Sequence, residues 1–161
     1  MAELLGKLRL DFIFVGDIAR SAWLGGTVDA GAVDVLAVMG PQQKNQVAMM
    51  AANRGFGVDR DAIEAAEELD LIPLDFLDAE GDVRVHVLVA SNALYAHMVA
   101  RATAAQFEGR DLRVSSAEAL ALMLTVAGDE EAVQRLVTME GFDKASYNAT
   151  LRSIGLGAME V

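Results

Sequence analysis

The side chains of this sequence that could do chemistry are a few carboxylates and one histidine, which lie on or beside short apolar runs. Asp17 follows the run at 12–15, Asp34 lies inside the run at 33–39, and His86 lies inside the alternating run at 83–90. Carboxylate oxygens are the usual protein ligands of Mg²⁺, whereas imidazole suits zinc and the later transition metals. Asp34 and His86 are therefore candidate metal ligands, each for a different class of ion.

Each of these residues also has a purely structural interpretation. Asp17 immediately precedes a run with helical spacing, so it is a candidate N-cap. Asp34 could stabilise a turn or cap a helix, and His86 could be a solvated or hydrogen-bonded side chain on a half-exposed strand face. Both interpretations stay open for Asp34 and His86 at the level of sequence.

The hydrophobic periodicity predicts an α+β fold in which a mixed sheet is flanked by helices and the C-terminal end is helical. Predicted strands cover 12–15, 33–39, 71–77, 83–90 and 111–114, and the strands at 71–77 and 83–90 form a hairpin with its turn at 78–81. Predicted helices cover 3–9, 18–24, 42–53, 59–69, 92–104, 119–127, 129–139 and 143–154. Ser115 and Glu118 have the spacing of a capping box. In the hairpin's second arm, Arg84, His86 and Leu88 are expected on one face and the valines on the other.

Composition limits the class of protein. The chain has 161 residues, 53% of them apolar, and a mean hydropathy of +0.31. We expect a single domain over 1–161, with a core at 10–114 and C-terminal helices at 115–155. No apolar run approaches the roughly 20 residues that span a bilayer. The sequence contains no cysteine, which excludes disulfides and thiolate sites, and we expect a cytoplasmic location. The net charge of −11 disfavours binding to nucleic acid, and no membrane partner is expected.

The order of the local motifs resembles that of the nucleotidyltransferase superfamily, especially its small bacterial members. The segment at 14–19 is similar to that family's glycine motif at the end of a strand, and the segment at 32–38 is similar to the following strand, which carries Asp-x-Asp. The strand around His86 lies where a third carboxylate is expected. A Gly-Phe turn at 55–58 and the helix start at 116–124 complete the resemblance, which covers nearly the whole chain.

The resemblance implies two Mg²⁺ ions held by three carboxylates, and this sequence departs from that pattern. Asp17 stands in place of the second glycine, Leu36 in place of the second aspartate, and His86 in place of the third carboxylate. A later lysine position is Met123. The resemblance leaves Asp34 as the candidate catalytic residue and metal ligand, His86 as a second candidate metal ligand, and Gly16 with Asp17 as candidate nucleotide-binding residues.

These departures predict a catalytically degenerate nucleotidyltransferase-like protein that acts as a binding or interaction module. We expect no cofactor, or Mg²⁺ if the protein is active. A nucleotide is a candidate ligand, and the apolar surplus predicts a homo-oligomer or a protein partner. One alternative is an active transferase whose metal site is rebuilt from Asp34, Asp75 and Asp17. Another is a regulatory partner in a toxin–antitoxin-like system. The preferred interpretation requires Asp34, Leu36 and His86 to surround one shallow cleft.

Overall fold

The computed structural model describes residues 1–28, 32–58, 71–78, 80, 83–90, 92–107 and 109–156, with the backbone alone over 71–75. The predicted helix at 59–69 lies outside the described residues. None of the described helices combines the length and the apolar composition that a membrane-spanning segment requires.

Helices and strands alternate over residues 2–58, and the described elements from residue 117 onward are all helices. The helices are α1 (Ala2–Lys7), α2 (Gly16–Leu24), α3 (Pro41–Ala52), α4 (Ala93–Ala100), α5 (Ala117–Ala127), α6 (Glu130–Val137) and α7 (Lys144–Ser153). The strands are β1 (Asp11–Phe14), β2 (Ala32–Val38), β3 (Gly57–Val58), β4 (Leu71–Leu77), β5 (Arg84–Ala90), β6 (Thr103–Phe107) and β7 (Arg110–Val114). The mixed sheet, its helices and the helical C-terminal end confirm the predicted α+β class.

All seven described strands form one sheet in the order β3-β4-β5-β2-β1-β7-β6. The pairs β2–β5 and β1–β7 are parallel, and the other neighbours are antiparallel. As a result, the C-terminal ends of β1 and β7 lie at the same edge of the sheet as the N-terminal ends of β2 and β5. The candidate residues predicted from sequence lie at this edge, because Gly16 follows β1, Asp34 is near the start of β2, and His86 is near the start of β5.

The two faces of the sheet are buried against different helices. Val35, Ala37, Val85, Val87 and Val89 belong to the larger core, which includes side chains of α2, α3 and the C-terminal helices. The opposite face forms a smaller cluster, which consists of Ile13, Val15, Leu36, Ala90, Met98 and Val99. The alternation predicted for β5 is therefore confirmed. Because α4 covers only the part of this second face around Leu36, Asp34 and His86 remain half-buried.

Polar side-chain contacts connect α2 to the C-terminal helices. Arg20 Nη1 lies 2.7 Å from Asp129 Oδ2, while Asp129 Oδ1 accepts a hydrogen bond from the Ala132 amide and caps α6. Arg135 Nη2 donates to the Leu24 carbonyl at 2.9 Å. Because α2 begins at the candidate site, these contacts connect that site to the C-terminal end.

Three local predictions were wrong. The helix expected over 92–104 ends at Ala100, and the chain continues into β6, which was not predicted. Asp17 is not an N-cap, because α2 starts at Gly16, two residues earlier than predicted, and Val15 occupies the cap position. The N-cap of α5 is Ser116 and not Ser115, because the Ser116 side chain accepts a hydrogen bond from the Ala119 amide. The expected Ser115–Glu118 capping box therefore does not form.

Candidate functional site

Asp34 and His86 are brought together by the parallel pairing of β2 and β5. The two residues are directly opposite each other in the register, and on the same face of the sheet. Asp34 Oδ1 lies 2.7 Å from His86 Nδ1, which is the distance of a strong hydrogen bond, or of an ion pair when the imidazole is protonated. The side chains are 32% and 28% exposed respectively, so solvent reaches both.

Gly16 lies on the other side of Asp34. Its φ of +58° is left-handed, and a Cβ added at this position would collide with Asp34 Oδ2. The Val15 amide donates to the Asp34 carbonyl at 3.0 Å, which continues the β1–β2 pairing up to the start of α2. Glycine is therefore required here both for the backbone conformation and for the close approach of the carboxylate.

Asp17 is exposed in the first turn of α2, one residue beyond this contact. A carboxylate at that position interacts favourably with the positive end of the helix dipole. The same negative charge would repel the phosphates of a nucleotide placed at the helix N-terminus unless a cation came between them. The structure therefore places both Gly16 and Asp17 at the site, but only Gly16 has the small size that phosphate binding favours.

Leu36 does not line the cleft, so the arrangement of Asp34, Leu36 and His86 around one cleft, which the sequence interpretation required, is wrong in its Leu36 part. It is 1% exposed and belongs to the apolar cluster beneath α4. The reason is the direction of β2. The strand starts at the sheet edge that carries the site, so residues after Asp34 lie closer to the middle of the sheet. The neighbour that shares the face of Asp34 and lies nearer the edge is Ala32. An Asp-x-Asp pair at this edge would therefore consist of positions 32 and 34, and the side chain at position 32 has no oxygen.

Two further positions meet this face through strand register. Asp75 of β4 is paired with His86, so the backbone places the order Asp75–His86–Asp34 across three adjacent strands. Arg84 is paired with Ala32 and with Leu77, and its side chain is exposed. Arg84 was not among the site residues predicted from sequence. The sequence signal that could have identified Arg84 is its position two residues before His86, because alternate residues of a strand lie on the same face.

The described side chains of the site, Asp34 and His86, do not by themselves fit a pair of Mg²⁺ ions. Asp34 contributes one carboxylate and directs an oxygen at His86, while position 32 is alanine and position 36 is buried leucine. Among the side chains that the structure describes, no three His, Asp or Glu residues are grouped so as to hold a metal. Mg²⁺ prefers near-octahedral oxygen coordination, and imidazole is a poor substitute for a carboxylate. A donor set of Asp34 and His86 suits hydrogen bonding better than binding of a hard cation.

Comparison with solved structures identifies the fold. The chain is similar to ANT(2")-Ia in a complex with adenylyl-2"-tobramycin, with a TM-score of 0.61, 21% identity, and coverage of 95% of this chain and 93% of the other. The lincosamide antibiotic adenylyltransferase LnuA, in its lincomycin-bound form, gives a TM-score of 0.57 at 10% identity, covering 85% and 92% of the two chains. An antigenic nucleotidyltransferase-like protein from Paracoccidioides brasiliensis gives 0.50 at 12% identity, covering 96% and 84%.

Neither protein-family models nor curated protein sequences give a match to the chain. The structural similarity nevertheless extends over most of the chain, and it includes an adenylyltransferase and a nucleotidyltransferase-like protein. The chain therefore has a nucleotidyltransferase fold, as the sequence motifs predicted. At these identities the similarity establishes the fold, and the activity has to be argued from the residues of the site.

Proposed function

We propose that this chain uses a nucleotidyltransferase fold as a binding module and does not carry out metal-dependent nucleotidyl transfer. The observation that carries the proposal is the contact between Asp34 Oδ1 and His86 Nδ1 at 2.7 Å. Asp34, which the resemblance leaves as the candidate metal ligand, is thus in contact with His86, which stands where a third carboxylate is expected. A site of this composition lacks the oxygen ligands that stabilise a transferring phosphoryl group through Mg²⁺.

Electrostatics supports the same proposal. Nucleotidyl transfer places a polyphosphate against the acidic residues of the site, and bound cations normally neutralise that repulsion. Here the site has two carboxylates, Asp34 and Asp17, while its described side chains offer too few oxygen ligands to hold two cations. A nucleotide that binds this protein would be held without the metal-dependent step, and its phosphates would lie away from Asp17.

Incubation with labelled ATP, CTP, GTP and UTP in the presence of Mg²⁺ or Mn²⁺ tests the proposal. We expect no transfer to water, to the protein itself or to added small-molecule acceptors. The Asp34→Ala variant is the matched control, because it removes the carboxylate that contacts His86 without filling the site. Transfer by the wild-type protein that disappears in this variant would contradict the proposal.

A second candidate function is transfer by a rebuilt metal site, and the strand register is the observation that favours it. The backbone register pairs position 75 with His86, which is itself paired with Asp34, so an aspartate position lies on each neighbouring strand of His86. The same assay tests this function. Activity that is lost in both Asp34→Ala and Asp75→Ala, and retained in Glu80→Ala at an exposed position of the hairpin turn, would support it.

We also propose that the protein associates with itself or with another protein. The support is the apolar fraction of 53% together with exposed apolar side chains, such as Met49 at 58% and Val126 at 70% exposure. Covering such side chains is favourable because it removes apolar surface from water. Sedimentation velocity at tens of micromolar is expected to show a species larger than the monomer, and a strict monomer would count against self-association.

A further inference from the structure

A second concave site lies near the same edge of the sheet as Asp34 and His86, on the other side of β1. It is a cavity of about 190 Å³ between the C-terminal half of α2, the start of α5 and the connection between α6 and α7. Its lining residues are Trp23, Thr103, Ser116, Ala117, Glu118, Met139, Glu140, Gly141 and Phe142. The cavity is thus walled by two aromatic rings and a methionine, with two carboxylates among them.

The aromatic walls are fixed in position. Trp23 Nε1 donates to the Ser115 carbonyl at 2.9 Å, which holds the indole against the end of β7. Phe142 packs edge-to-face on Tyr147, with ring centroids 5.5 Å apart, and Tyr147 is 2% exposed. Because both rings are held by contacts outside the cavity, they would lose little conformational entropy when a ligand binds between them.

The charge of the cavity is negative. Glu118 is half-buried, and its Oε1 accepts a hydrogen bond from the Asp143 amide at 2.9 Å, which orients the carboxylate. Glu140 is exposed at the rim. No lysine, arginine or histidine is among the described residues that line the cavity, so the two glutamates give the lining a formal charge of −2.

We propose that this cavity binds the quaternary ammonium group of a small organic cation. A cation beside an aromatic face is attracted by the ring's quadrupole, and a carboxylate that is already oriented adds a Coulombic attraction at little entropic cost. The apolar carbon atoms of such a ligand would pack on Met139 and Phe142. An anionic ligand is disfavoured, because both charged groups of the lining are negative.

The cavity is adjacent to the candidate site through the pairing of β1 and β7. The Ser115 amide donates to the Phe14 carbonyl at 3.1 Å, so the end of β7 beside the cavity is adjacent to the end of β1 beside Gly16. The organic cation would thus be a ligand of the proposed binding module, and its functional meaning rests on that proposed function. The binding of the cation itself does not depend on nucleotide or metal.

The test uses Trp23, which is the only tryptophan of the chain. The purified protein is titrated with choline and, separately, with its uncharged tert-butyl analogue, while the indole Nε1–H signal and the tryptophan fluorescence are recorded. We expect saturable changes with choline, and a dissociation constant at least about tenfold weaker for the uncharged analogue. An equal response to both compounds, or no saturable response to choline, would overturn the proposal.

A matched pair of variants assigns the binding to the cavity. Glu118→Gln keeps an oxygen that can accept from the Asp143 amide, so the fold is retained while one charge is lost. We expect it to weaken choline binding about tenfold, whereas Glu131→Gln, on the exposed side of α6, leaves binding unchanged. Equal effects of the two variants would refute the assignment. Nucleotidyl transfer in the assay above would refute the proposed function and leave this titration unaffected, so the two failures are distinguishable.

Discussion

At the scale of single residues, Asp34 is enclosed from two sides, by His86 on β5 and by Gly16 at the start of α2. Oδ1 of Asp34 contacts His86 Nδ1, and Oδ2 of Asp34 lies where a Cβ at position 16 would collide with it. The resemblance of their motifs to those of nucleotidyltransferases was what predicted that these three residues lie together, because hydrophobic periodicity gives the strands but not their order in the sheet. The sequence was not sufficient to place Leu36, since alternation along β2 gives the face of a residue but not its depth from the sheet edge.

Substitution of Gly16 tests how closely Asp34 is packed. Gly16→Ala forces a side chain into a left-handed backbone and against the Asp34 carboxylate, and we expect the free energy of unfolding to fall by about 2–4 kcal/mol. Gly128→Ala is the control, because Gly128 has a φ of +78° and none of the described residues comes within 4 Å of an added Cβ. Urea denaturation of both variants should show a smaller loss, about 1 kcal/mol, for Gly128→Ala. Equal losses would mean that the Asp34 contact is unimportant.

The two positions that flank Asp34 on its own face are predicted to respond differently to a new carboxylate. Leu36→Asp buries an unpaired charge in the cluster beneath α4, so we expect it to lower the free energy of unfolding by at least about 3 kcal/mol. Ala32→Asp lies at the half-buried start of β2 and should cost about 1 kcal/mol or less. Urea denaturation measures both. Similar costs for the two variants would contradict the placement of Leu36 in the core.

At the scale of elements, boundaries were predictable where a local signal agreed with tertiary packing. Asp129 and Asp143 cap α6 and α7, and both helices were expected at nearly these positions. The strand β6 was missed because Ala104 and Ala105 favour a helix, while pairing with β7 decides the conformation. The cap of α5 was misplaced by one residue because two adjacent serines offer the same chemistry.

Those two serines are predicted to differ in their effect on stability. Ser116→Ala removes the hydroxyl that accepts from the Ala119 amide, and we expect a loss of about 1 kcal/mol in the free energy of unfolding. Ser115 Oγ is fully buried and has no hydrogen-bond partner within the described part of the chain, so Ser115→Ala should be neutral or stabilising. Thermal and urea denaturation of the two single variants would decide the matter. A larger loss for Ser115→Ala would instead support the capping box predicted from sequence.

At the scale of the whole molecule, the net charge of −11 is the dominant electrostatic feature. Unbalanced charge destabilises a compact state through self-repulsion, and salt screens that repulsion. The order of motifs along the chain was enough to predict the fold class, because the strands that carry the motifs meet at one sheet edge. Ligand identity was not predictable, since the cavity at Trp23 combines residues from four separate segments.

Salt is therefore expected to stabilise the protein. Raising NaCl from about 0.05 M to about 0.3 M should increase the melting temperature by about 2–5 °C, because screening removes repulsion among the surplus carboxylates. Differential scanning calorimetry measures the shift, and the same series in a zwitterionic osmolyte controls for effects that do not involve charge. A melting temperature that falls with NaCl would indicate that specific ion pairs, such as Arg20–Asp129, outweigh the overall repulsion.

We propose that Asp34 and its neighbours do not hold the metal ions of nucleotidyl transfer. Isothermal titration of ATP into the protein, with and without Mg²⁺, tests this most directly when the Asp34→Ala variant is measured in parallel. We predict isotherms of the wild-type protein that Mg²⁺ does not change, and the same result for the variant. Binding that tightens about tenfold or more with Mg²⁺, and that loses this gain in Asp34→Ala, would contradict this proposal.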